Sequence, residues 1–110
     1  MSTTKLPTEK HAAVELAALG NQTRLRVFKL LVRAGDDGIN IGAIQRQLRI
    51  PASTLAHHLA TLSRAGLVQQ SQHGREVLCA VDFEAMNALV GYLTEQCCIG
   101  VQDQDKGQVA

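Results

Sequence analysis

Along most of the chain, apolar residues recur three or four positions apart, the spacing that lines one face of a helix. From about Thr8, Ala13, Leu16, Ala17 and Leu19 repeat this way toward a partner surface, with Glu9 in the first turn and Gly20 as the stop. Asn21 then offers a side-chain oxygen to the orphan amides of a second helix, in which Leu25, Phe28, Leu31 and Val32 recur until Gly35. Asp36, Asp37 and Gly38 form a turn, and Asn40 caps a short third helix carrying Ile41, Ile44 and Leu48. Pro51 cannot continue that helix but suits the start of another, so a fourth helix is predicted from about Ala52 to Ala65, ending at Gly66.

The period then changes. Leu67 to Ser71 and Val77 to Asp82 read as two strands around a tip of His73, Gly74, Arg75 and Glu76. A last amphipathic helix carries Phe83, Met86, Leu89, Val90, Leu93 and Cys97. The expected order is ααααββα: a mainly α fold with a β-hairpin wing, that is, a winged helix-turn-helix. One domain is expected over residues 8–98, with flexible ends at 1–7 and 99–110.

Composition narrows this picture. Hydrophobic residues make up 45% of the 110 residues but aromatics only 3%, so the core must be built from Leu, Val, Ile and Ala. No apolar run approaches the ~18 residues of a membrane span, and the polar start from Met1 to Lys10 carries no secretory stretch, so a cytoplasmic protein without a membrane partner is expected. Three cysteines without an export signal imply reduced thiols. Net charge is only +1 and by itself argues for no nucleic acid. The basic character is local: Gln45 to Arg75 holds four Arg and three His, with the nearest following acid, Glu76, just outside.

On a helical wheel of the fourth helix, Leu55, Leu59 and Leu62 form one narrow stripe, with Ser53, His57 and Arg64 almost opposite and Thr54 and Thr61 beside them. That face is polar and free of acids, which suits base edges and phosphates in a major groove about 12 Å wide. An isolated helix with such a face would more often be merely solvated, but a preceding short helix and a following hairpin favour DNA. Arg75 at the hairpin tip is positioned for a minor groove or a phosphate, although a turn residue kept for solubility reads the same way alone. His58, about 100° from His57, lies nearer the core stripe and reads as a packing or hydrogen-bonding residue.

The run from Pro51 to Val68, with His58-Leu59, Leu62 and Ala65-Gly66-Leu67-Val68 as its specific part, resembles the recognition helix and wing entry of the ArsR family of repressors. Asn21 to Leu31 is similar to that family's second-helix entry, and the likeness extends over about residues 11–98. It implies a homodimer built on the first and last helices, bound to operator DNA until an inducer releases it. The family's third-helix metal site needs cysteines where this chain has Asn40 and Gly42, and its last-helix zinc site needs imidazoles, whereas no His follows His73. Zinc sensing is therefore not expected.

Leu93-Thr94-Glu95-Gln96-Cys97-Cys98-Ile99-Gly100 resembles the arsenic-responsive subgroup of that family, which implies Cys97 and Cys98 as ligands for a trivalent arsenical. Soft thiolates select thiophilic ions. The third cysteine often found downstream in the subgroup is missing between Val101 and Ala110. For arsenite a third ligand would have to be water, a small thiol or, as the less favoured choice, Cys79 on the second wing strand, which reads more readily as a small buried apolar residue. Methylarsenite, with one position blocked by carbon, matches two thiols and ranks at least level with arsenite. No permanently bound cofactor is expected. Competing readings are a thiol-redox-responsive repressor, a winged helix that makes only protein contacts, and a cysteine-dependent arsenate or disulfide reductase. Against the reductase stand the lack of C-x-x-C spacing and of a Gly-rich phosphate loop, so a non-enzyme is expected.

Overall fold

The computed structural model describes residues 5–101. Five helices and three short strands follow in the order α1 (Glu9–Leu19), α2 (Gln22–Ala34), β1 (Ile39–Asn40), α3 (Ile41–Leu48), α4 (Ala52–Arg64), β2 (Val68–His73), β3 (Glu76–Val81) and α5 (Phe83–Thr94). The mainly helical, winged helix-turn-helix expectation is met, with two revisions to the order and extent of its elements. A strand, β1, precedes the third helix, and the last helix ends at Thr94, before the cysteine pair. The expected ends at 1–7 and 99–110 lie partly outside the described residues.

Helix starts follow the caps in the sequence. Thr8, Asn21, Asn40 and Asp82 each accept a backbone N–H from the residue three positions on, satisfying one orphan amide of α1, α2, α3 and α5. Pro51 starts α4 without a side-chain cap, its fixed φ sufficing. Asp82 also accepts from the Gln69 amide at 3.2 Å with its other oxygen, so one carboxylate begins α5 and ties it to β2. Such a cap contributes about 1 kcal/mol.

The sheet order is β1-β3-β2, antiparallel throughout, with His73 opposite Glu76 across the Gly74-Arg75 turn. Gly74 takes φ +64° at the first turn position, which a two-residue hairpin of this hand requires. β1 pairs Ile39 with Cys79 and Asn40 with Leu78. Gly38 permits that approach: a Cβ there would meet the Cys79 carbonyl oxygen at 2.7 Å.

Leu31, Ile44, Leu55, Leu59, Leu62, Leu67, Val27 and Cys79 are fully buried and join α2, α3, α4 and the wing in one core. The leucine stripe of α4 thus faces inward as its spacing predicted. Two helical registers differ from simple periodicity. On α2 the inward set is Val27, Phe28, Leu30 and Leu31, leaving Leu25 exposed. On α1, Ala12, Glu15 and Ala18 face inward, whereas Ala13, Leu16 and Ala17 stay on the outer face assigned to a partner. No described helix is long and apolar enough to cross a membrane.

Candidate nucleic-acid interface and cysteine pair

α3 and α4 meet through the short connection Arg49-Ile50-Pro51. Arg49 ends α3 in the left-handed region at φ +56°, its N–H donating to the Gln45 carbonyl at 2.7 Å. A side chain in this conformation costs about 1 kcal/mol, and it sharpens the turn that aims α4. Ile50 is buried beneath it.

On α4, Ser53, Thr54, His57 and Arg64 are exposed, opposite the buried leucines. Thr61 is half-buried, and its hydroxyl donates to the His57 carbonyl at 3.1 Å, so it is partly occupied within its own helix. Thr61 and Arg64 also line a groove against Val14, Ala17 and Ala18 of α1, toward the other flank of the helix from a simple outward face. His58 is buried at 7% exposure, with Nδ1 3.3 Å from Nη1 of Arg24. Burial, the Arg24 charge and then His57 all push its pKa below the ordinary imidazole value.

Arg75 is exposed at the wing tip. It shares a cleft of about 350 Å³ with Arg46 and with Asn40, Ile41 and Gly42 at the start of α3. The Arg46 guanidinium lies back over Gly42, close to where a Cβ would stand. Arg46 and Arg49 lie outside the contacts expected from the sequence, although their place in the acid-free stretch is the available signal. Neither they nor Arg75 is held by a carboxylate among the described residues, leaving the cations available to phosphates.

The three cysteines separate into two environments. Cys79 is fully buried on β3, and burial pushes its thiol up to about 11. Its side chain belongs to the core, and among the described residues no group of three His, Cys, Asp or Glu converges on one point. Cys97 and Cys98 are exposed on the turn after α5, with their sulfurs 2.6 Å apart. The turn is closed by the Cys97 N–H donating to the Thr94 carbonyl at 2.9 Å, and Cys98 takes φ +69°. Neighbouring side chains of a regular helix diverge by about 100°; leaving the helix is what lets these two sulfurs converge. Hydrogen bonding with Cys98 holds the Cys97 thiol above its ordinary pKa, with a smaller contribution from burial.

Residues 19–70 match the model of a helix-turn-helix domain family. The chain is 29% identical over 87 residues to the transcriptional activator HlyU of Vibrio cholerae, covering 79% of this chain and 78% of HlyU. It is 36% identical over 63 residues to a helix-turn-helix-type transcriptional regulator of Methanocaldococcus jannaschii, covering 57% of this chain and 68% of that protein. The HlyU structure superposes with a TM-score of 0.64 at 28% identity, over 81% of this chain and 94% of that one. A homodimeric winged helix-turn-helix DNA-binding domain from Mycobacterium bovis, from a possible ArsR-family regulator, shares the fold at TM-score 0.62 and 24% identity, over 79% and 81% of the two chains.

Proposed function

This chain belongs to the helix-turn-helix transcriptional regulators, and from that premise we propose that it is an ArsR-type repressor, released from operator DNA when a trivalent arsenical binds Cys97 and Cys98. The observation that carries the sensing half is the pair of exposed sulfurs 2.6 Å apart, outside the helix and without another hydrogen-bond partner among the described residues. Methylarsenite bears two exchangeable hydroxyls. Each As–O bond gives way to an As–S bond, and the thiol proton leaves with the hydroxyl as water, so two cysteines satisfy it. Arsenite would keep one hydroxyl or recruit a small external thiol, since Cys79 is committed to the core.

Ser53, Thr54 and His57 contact base edges from the start and middle of α4, Thr61 and Arg64 flank them, and Arg75 holds phosphate or minor groove. The working unit is a homodimer. Val14 and Leu16 on α1, with Val90 and Leu93 on α5, are all more than two-fifths exposed, an apolar surface that a second copy would cover. The cysteine turn follows directly on α5. Seating one atom between the two sulfurs reshapes the turn that follows that dimer helix and changes the spacing of two reading heads, which must fit half-sites about 34 Å apart. By linkage, DNA weakens inducer binding by the factor by which inducer weakens DNA binding. HlyU carries the name of an activator; repression is proposed here on the resemblance to the ArsR family of repressors.

The same sulfur proximity favours a second reading, in which oxidation of the pair to a disulfide is the signal. A mobility shift on the promoter of the protein's own gene, with methylarsenite, arsenite, antimonite and peroxide titrated separately, decides. Release by the arsenicals at lower concentration than by peroxide supports the proposal. Release by peroxide alone replaces it with the redox reading, and absence of specific DNA binding overturns both.

A further inference from the structure

One side chain of α2 grips α4 from behind. Arg24 stands in the first turn of α2, its backbone N–H donating to Asn21 Oδ1 at 2.9 Å, so the side chain departs from a capped, fixed position. Its Nε–H donates to the Ala18 carbonyl, near the end of α1 where helical partners run out. Its Nη1 lies 3.3 Å from His58 Nδ1. A guanidinium has donors only, so the imidazole accepts at this contact. Nδ1 must then be bare, which makes His58 the neutral tautomer protonated at Nε2. The buried position and the two neighbouring groups on the page, Arg24 and His57, all disfavour a charged ring. On the outer side of the same helix, the His57 ring lies 5.8 Å from the His58 ring, centre to centre.

We propose that Arg24 is the positioning residue of the reading helix: by donating at once to Ala18 of α1 and to His58 of α4, it sets the tautomer of His58 and the seating of α4, and thereby where His57 and Ser53 meet DNA. This rests on the DNA-binding role assigned to α4 above. α1 and α4 pack side by side, and among the described residues Arg24 is the polar link between them. Lysine cannot replace it, because a single ammonium lacks the rigid fork that reaches two elements together. The route also gives α1, a wall of the proposed dimer, a direct hold on the DNA-reading surface.

The test combines histidine side-chain ¹⁵N NMR on the free protein with binding to a duplex carrying the promoter of its own gene. In the wild type, His58 is expected as the Nε2–H tautomer. R24Q is expected to change the tautomer balance and to weaken promoter binding about tenfold, the effect of one lost hydrogen-bond partner, while R24K keeps the helical fold and recovers only part of the affinity. An Nδ1–H tautomer in the wild type overturns the proposal, as does wild-type affinity in folded R24Q. If R24Q does not fold, R24K with wild-type tautomer and affinity overturns it. Failure of the wild type itself to bind any promoter fragment removes the DNA-binding reading instead, a result distinct from a loss confined to the variants.

Discussion

Cys97 Sγ and Cys98 Sγ stand 2.6 Å apart on the turn that follows α5, while Cys79 lies fully buried in the core. Adjacent residues of a helix could not bring their sulfurs together in this way, so the break at Thr94 creates the pair. Replacing both Cys97 and Cys98 by Ser is therefore expected to leave promoter affinity within twofold or so of wild type, because surface changes away from special features cost within about 0.5 kcal/mol. Release by methylarsenite should disappear, as read by fluorescence anisotropy of labelled promoter DNA. A double variant that still lets go would place the sensor elsewhere.

Thiol labelling separates the two environments without DNA. At mildly alkaline pH, iodoacetamide is expected to modify Cys97 and Cys98 in the native protein and spare Cys79, whose thiol stays protonated until about pH 11 and has no access to solvent. Cys79 should react only after denaturation. Mass spectrometry reads the difference, and rapid native labelling of Cys79 would contradict its place in the core.

Reading and anchoring contacts should respond differently. His57→Ala and Ser53→Ala are expected to lose about 1–3 kcal/mol on the preferred sequence and to relax discrimination at one base pair. Arg75→Ala should instead weaken specific and unrelated DNA alike, lowering the slope of log affinity against log salt by about 1. Arg46→Ala, beside Arg75 in the same cleft, should behave like Arg75→Ala. Salt titrations with two unrelated duplexes distinguish the classes.

Glu15 offers a stability test independent of DNA. It is 2% exposed, one oxygen has no hydrogen-bond partner among the described residues, and the other lies 3.5 Å from His11 Nε2. Burial raises its pKa, which the His11 interaction partly offsets. The folded chain thus holds this proton more tightly than the unfolded chain does, and its contribution to stability is present in acid and lost as pH rises from 4.5 through the raised value. Glu15→Gln should raise Tm at neutral pH, with the gain shrinking toward pH 4 in thermal melts monitored by circular dichroism. A gain independent of pH would show that the carboxylate charge is not the cause.

Local chemistry in the sequence determined much of this protein. Asn21 and Asn40 mark the starts of their helices, Thr8 adjoins the first, and Gly35 and Gly66 end theirs, because capping depends only on residues within one turn. The leucine stripe and the polar face of α4 follow from the helical period alone. The pair at Cys97 and Cys98 was equally legible, since adjacency needs no fold.

Tertiary structure decided what depends on neighbours distant in sequence. β1 has two residues, too few for a pattern of its own, and exists because β3 offers an open edge to Ile39 and Asn40. Strand alternation could not tell which way Cys79 points, since either face of a two-stranded wing could be the covered one; packing against the helical core chose it. Leu25 and Glu15 exchange the places their polarity suggests because the direction of each helix toward its partners, rather than the apolar count, sets the inward face. Arg24 and His58 meet across 34 residues. No spacing rule reaches that far, because the contact is made only when α1, α2 and α4 close around one core.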